Sequence, residues 1–114
     1  EDERFFAFLD INPMAKGHTL VVPKKEVDYL FDLEDDLLCE MAIFAKKMAI
    51  AIKETIPCLR VGVMVMGLEV PHAHIHLIPI EKEGDMNLSN PKLKLSDNEF
   101  KEIAQKIRTA YPGA

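Results

Sequence analysis

Three of the four histidines in this chain, His72, His74 and His76, stand at alternate positions in Pro71-His72-Ala73-His74-Ile75-His76-Leu77-Ile78-Pro79. If the segment is extended, period two sends the three imidazoles to one face and Ala73, Ile75 and Leu77 to the core side. A lone histidine on a strand is usually structural, but a row of three polar rings on one face is expensive as packing. Two chemistries fit the row. One is metal binding, since imidazole is a common zinc ligand and a His-x-His pair can reach one ion from a strand. The outer rings, however, would lie about 13 Å apart along an extended strand, so three cannot share an ion without a bend. No acid is obviously placed to complete a metal site, and Cys39 and Cys58 form no metal-type spacing, so both read as reduced thiols. The other chemistry is nucleophilic and acid-base work, in which one imidazole attacks and its neighbours orient it and bind charge. That needs no shared ion.

The elements that would hold the row can be read from the patterning. Phe5 to Leu9 is short, aromatic and closed by Asp10 and Asn12-Pro13, so it reads as a strand and turn; His18 to Pro23, after Gly17, reads as its hairpin partner. Asp32 is a plausible N-cap for a long helix whose apolar positions Leu37, Met41, Phe44, Met48 and Ile52 recur every three or four residues up to Pro57. Leu59 to Met66 has no charge after Arg60 and suits a covered central strand, and Val70 to Ile80 reads as the next strand. A polar loop, Glu81 to Lys94, leads to the capping box Ser96-Asp97-Asn98-Glu99 and a C-terminal helix with Phe100, Ile103, Ala104 and Ile107 on one stripe. The expected fold is α+β: an antiparallel β-sheet meander, one long central helix and a C-terminal helix, in one domain over residues 1–114. Ala42, Ile43, Ala45, Ala49, Ile50 and Ala51 leave little of the long helix polar, so a second side of it is covered, by another copy in a two-fold homodimer or by a terminal segment missing here. The expectation is the homodimer, with its sheet continuous across the interface.

Composition narrows the function classes. The 114 residues are 48% hydrophobic and 29% charged, an ordinary folded composition. The net charge of −5 comes from residues 1–57, with 12 acids and 7 bases, against 7 of each beyond. Much of the excess, Asp32, Glu34, Asp35 and Asp36, sits where a helix dipole favours negative charge. A nucleic-acid surface is therefore not expected. No apolar run approaches the roughly 20 residues that span a bilayer, and no secretory h-region opens the chain, so no membrane role and a cytoplasmic location are expected. The sequence opens on Glu1 rather than Met, which suggests that an N-terminal segment is missing.

The strand matches the histidine-triad signature His-φ-His-φ-His-φ-φ, with φ apolar, at every position from His72 to Ile78. Upstream, Phe8-Leu9-Asp10-Ile11-Asn12-Pro13 and Gly17-His18-Thr19-Leu20-Val21-Val22-Pro23-Lys24 look like that family's nucleotide-pocket hairpin, in the family's order. The chain thus resembles the histidine-triad family, in its nucleotide-binding branch, from Arg4 to about Pro79. The resemblance implies a purine nucleotide or nucleotide conjugate with its α-phosphate against the triad. His74 would attack phosphorus to give a nucleotidyl-imidazole that water hydrolyses, and it must be neutral to do so. His72 would orient His74, His76 would bind phosphate oxygens and the leaving-group side, and His18 would be the pocket's fourth histidine, near the phosphate. Asp10 would accept ribose hydroxyls, Phe8, Leu9 and Ile11 would line the base pocket, and Asn12 belongs to the same hairpin. No cofactor is implied.

One stretch departs from the family pattern. Many members carry Gly-Gln-Ser/Thr before the triad, and here the residues are Gly67-Leu68-Glu69. Gly67 still offers its backbone N–H, but Leu68 cannot hydrogen-bond, and an ionised Glu69 at the leaving group would repel phosphate unless protonated or turned away. The readings that follow are a hydrolase or transferase acting on phosphoramidates, nucleotide conjugates or dinucleoside polyphosphates; a nucleotide-binding regulatory module with little turnover; and a metal-dependent protein.

Overall fold

The computed structural model describes residues 3–66, 68 and 70–111. Four strands, β1 (Phe5–Leu9), β2 (Thr19–Pro23), β3 (Arg60–Met64) and β4 (Ile75–Ile80), alternate with two helices, α1 (Asp35–Thr55) and α2 (Asp97–Ala110), in an α+β arrangement. Short 3-10 turns occupy Leu30–Asp32 and Glu83–Met86.

All strand pairs are antiparallel, and their order is β1-β2-β4-β3. The two hairpins of a meander are present, but the sheet is not sequential. At 1.5 Å per residue α1 is about 30 Å long, enough to carry the chain across the sheet to its far edge, and β4 then returns into the gap beside β2. The uncharged run of β3 is therefore an edge strand and not the covered central one its composition suggested; Val63 is 63% exposed. The central place goes to β4, where Ile75, Leu77, Ile78 and Pro79 are all buried.

Asp32 does not cap α1. It is taken up in the preceding 3-10 turn, Glu34 is the N-cap, and Asp35 and Asp36 fill the first turn, where the helix dipole favours them. Met41, Phe44, Ala45, Ala51 and Ile52 bury against the sheet, with the Phe44 and Phe5 rings 5.4 Å apart. Ile43 and Ile50, on the same helix, are exposed. The α2 capping box forms as patterned: the Glu99 N–H donates to Ser96 Oγ at 3.2 Å and the Ser96 N–H to Glu99 Oε1 at 3.1 Å. Ile103 and Ile107 bury its apolar stripe.

Gly17 closes the β1–β2 connection at φ +92°, and a Cβ there would meet Ile56 Cγ1 at 2.9 Å. Backbone freedom and lack of bulk are both used at this turn. Among the described residues, no helix is long and apolar enough to cross a membrane.

Candidate active site

Strand register lays out the site. Phe8 pairs with Leu20, Leu20 with His76, and His76 with Met64, so these four side chains form one row across the sheet on the face opposite Ile75 and Leu77. His76 is the only member of the triad inside a strand. β4 begins at Ile75, and His72 and His74 lie in the irregular segment before it, so the expectation of three histidines on one strand is corrected. The cause is a change of hydrogen-bond partner. Where a ladder would continue, the His72 N–H donates to Val70 O at 2.8 Å and the Ala73 N–H to Val27 O at 2.6 Å. The bend this produces packs the rings more closely than a straight strand would, with the His74 and His76 centroids 4.8 Å apart. Ala73 still turns to the core, 2% exposed.

Main-chain groups determine where the protons sit on the imidazoles. A carbonyl only accepts, so His74 Nδ1–H donates to His72 O at 2.8 Å, and the lone pair of neutral His74 is on Nε2. The group of His72 that touches the His74 ring is thus its carbonyl, while the His72 ring donates Nε2–H to Pro23 O at 2.8 Å. His18 is set in the opposite sense. The Met14 N–H donates to His18 Nδ1 at 3.0 Å, so the ring proton of neutral His18 is on Nε2, which donates to His76 Nδ1 at 2.9 Å. Neutral His76 then carries its own proton on Nε2.

Burial reinforces the neutral forms. His18 lies behind His76, 2% exposed, and its desolvation holds its pKa down to about 4, overcoming the opposing pull of the Asp10 carboxylate; His76 and Lys92 lower it further. Burial also lowers the pKa of His76, helped by His74 and opposed by Asp10.

Asp10 stands at the end of β1. Its Oδ1 accepts the Asn12 N–H at 2.8 Å, an Asx turn that positions the carboxylate, and its Oδ2 is 3.6 Å from His18 Nε2. An acid is therefore close to two of the histidines, contrary to the reading that none was placed there. The ligand-type atoms of Asp10, His18 and His76 all lie within 4.8 Å of one another, a donor set that fits a transition-metal ion by chemistry. The Met14 amide works against such use, because it leaves the proton on His18 Nε2, the atom that would face the ion.

The remaining predicted residues are placed as follows. Phe8 is half exposed, Leu9 is partly buried, and Ile11 and Asn12 are exposed at the hairpin tip. Gly67 and Glu69 lie outside the described residues, whereas Leu68 is 85% exposed. Sequence reasoning missed three participants. Leu20 and Met64 flank His76 in the row; Leu20 was within reach, since it shares the parity of His18 in an alternating strand. The Met14 amide left no signal, because every residue but proline has one.

Comparison with known proteins finds a HIT domain over residues 1–83. The chain belongs to the histidine-triad family. It is 44% identical over 89 residues to a HIT-like protein of Methanocaldococcus jannaschii, covering 75% of this chain and 68% of the relative. It is 39% identical over 84 residues to the adenosine 5′-monophosphoramidase of Saccharomyces cerevisiae, a match covering 73% of this histidine-triad protein but only 53% of the yeast one. Among solved structures it superposes on a HIT-like protein of Bartonella henselae with a TM-score of 0.83 and 34% identity, over 96% of this chain and 82% of that one.

Proposed function

We propose that this histidine-triad protein is a nucleotidyl hydrolase or transferase acting at the α-phosphate of purine nucleotide phosphoramidates and related conjugates. The observation that carries the reading is the His74 Nδ1–H bond to the His72 carbonyl, which leaves Nε2 as the nucleophilic atom. In the first step the His74 Nε2–P bond forms, the bond from phosphorus to the leaving group breaks, and a leaving amine takes up a proton. In the second, water attacks phosphorus, the P–Nε2 bond breaks, and water gives up the proton that balances the first step. The His72 carbonyl steadies the positive charge on the nucleotidyl-imidazolium. His76 Nε2–H donates to a phosphate oxygen, with its tautomer held by His18. His18 cannot pass a proton onward, because a ring accepting at Nδ1 from an amide would be left as an imidazolate; it is a positioning residue.

Asp10 accepts the ribose hydroxyls, and Phe8, Leu20 and Ile11 contact the base. Exposed Ile43 and Ile50 on α1 and the free edge at β3 support a homodimer with a continuous sheet. A second reading, nucleotide binding with little turnover, draws on Leu68, whose side chain supplies no hydrogen bond where the family pattern has Gln.

The test is incubation with adenosine 5′-phosphoramidate. AMP release should fall at least about 10³-fold in His74→Ala. Equal rates in the variant and wild type would sink the enzymatic reading, and tight AMP binding without turnover would establish the second.

A further inference from the structure

Behind the catalytic row, a run of hydrogen bonds leads from His76 back through the β1–β2 turn. His76 Nδ1 accepts the His18 Nε2–H at 2.9 Å, and His18 Nδ1 accepts the Met14 N–H at 3.0 Å. The run does not stop at Met14. That amide belongs to the Pro13–Met14 peptide, whose other polar end, Pro13 O, accepts the Leu93 N–H at 2.9 Å. A peptide unit is planar, so a donor that fixes its carbonyl also fixes the direction of its N–H. Every link donates in the same sense, from Leu93 toward His76, and hydrogen bonds aligned in this way polarise and strengthen one another.

Leu93 lies in the stretch between β4 and α2, past the end of the HIT domain match at residue 83. The stretch is tied down on both sides of it. Upstream, Asn90 Nδ2 donates to Gly84 O at 2.7 Å, and Lys92 Nζ donates to Leu88 O and Asn90 O at 2.7 and 3.1 Å. Downstream, Leu95 packs on the core and Ser96 begins the α2 capping box. On the receiving side, the Pro13 ring is fully buried and the His18 N–H closes the turn onto Ala15 O at 3.1 Å. The Leu93 side chain, by contrast, is 39% exposed, so what this residue gives the turn is its N–H. The neighbouring Lys92 charge disfavours protonated His18, which would have no lone pair for the Met14 N–H.

We infer that the Leu93 main-chain amide is a positioning group for the active site: through the Pro13–Met14 peptide and His18, it holds the proton of neutral His76 on Nε2. That a phosphate oxygen accepts from this Nε2–H rests on the nucleotidyl-transfer reading above; the place of the proton does not.

The experiment removes the donor. Leu93→Pro has no N–H to give to Pro13 O. Nitrogen NMR of the imidazoles, recorded on nucleotide-free protein near neutral pH, separates a protonated ring nitrogen from one bearing a lone pair. In the wild type, His18 and His76 should each carry the proton on Nε2. In Leu93→Pro, His76 should move to a mixture of the two tautomers, and Leu93→Ala, which keeps the N–H, should show the wild-type pattern. With adenosine 5′-phosphoramidate, kcat should fall by about fivefold in Leu93→Pro and KM should stay within about twofold, because a displaced donor matters most as charge builds on phosphate. A loop that is merely destabilised would not move a tautomer. If Leu93→Pro fails to fold, Asn90→Ala, which loosens the same stretch without removing an amide or a charge, is read against the same signals. A wild-type His76 protonated on Nδ1, unchanged His76 signals in the folded variant, an equal shift in Leu93→Ala, or an altered tautomer with unaltered kcat would overturn the inference. Absence of turnover in the wild type would remove the nucleotidyl-transfer reading, and the tautomers alone would then decide this one.

Discussion

At the scale of single residues, proton placement follows from three main-chain groups: the Pro23 carbonyl at His72 Nε2, the His72 carbonyl at His74 Nδ1 and the Met14 amide at His18 Nδ1. These contacts make His18 a buried neutral base, with a consequence for stability. The unfolded chain takes up this proton near pH 6.5, and the native protein only near pH 4. Between those values the unfolded state holds more protons, so the contribution is fully present above about 6.5 and is lost as pH falls through the interval. The expected loss is about 3 kcal/mol by pH 4. Urea unfolding at pH 7 and pH 4.5 should show it, and His18→Gln, which does not titrate, should flatten the difference; an unchanged slope would count against the burial account. The triad histidines stand out in the sequence by their spacing, whereas Asp10 and Phe8 enter the candidate site only through the family resemblance. The tautomers were not legible, because the groups that set them belong to the backbone and carry no residue identity.

At the scale of elements, legibility tracked how local the determinant is. β1 and the α2 capping box are encoded by neighbouring residues and form as patterned. The start of β4 depends on Val27 and Val70 accepting amides that a ladder would otherwise use, contacts that period two does not reveal. β3 looked like a buried strand because hydrophobicity reports what a surface seeks to cover, not whether its own chain covers it. Gly17 carries the most positional demand in the hairpin that presents Asp10 and His18. Gly17→Ala must place a Cβ at positive φ and against Ile56, so it should cost at least about 1 kcal/mol, read as a lowered denaturation midpoint. A neutral effect would mean that Ile56 and the turn yield freely.

At the scale of the whole molecule, the strand order was beyond the sequence: a 21-residue helix can return the chain beside β2 or carry it past, and composition does not choose between them. Among the described residues, the outcome leaves Ile43, Ile50 and Val63 uncovered and β3 with a free edge. On the dimer reading, sedimentation of the wild type should give twice the chain mass at micromolar concentration, and Ile43→Glu should shift it to monomer; a monomeric wild type would remove that proposal. The central position of β4 also sets when the site comes into being. His18 and His76 are 58 residues apart, and the β2–β4 pairing that brings them together spans a similar separation. Closing so long a loop is slow compared with forming either hairpin or helix. On the nucleotidyl-transfer reading, catalytic competence should therefore return during refolding with the slowest step that closes the sheet, later than most helical ellipticity, which would make phosphoramidate turnover a clock for the last long-range closure of the chain.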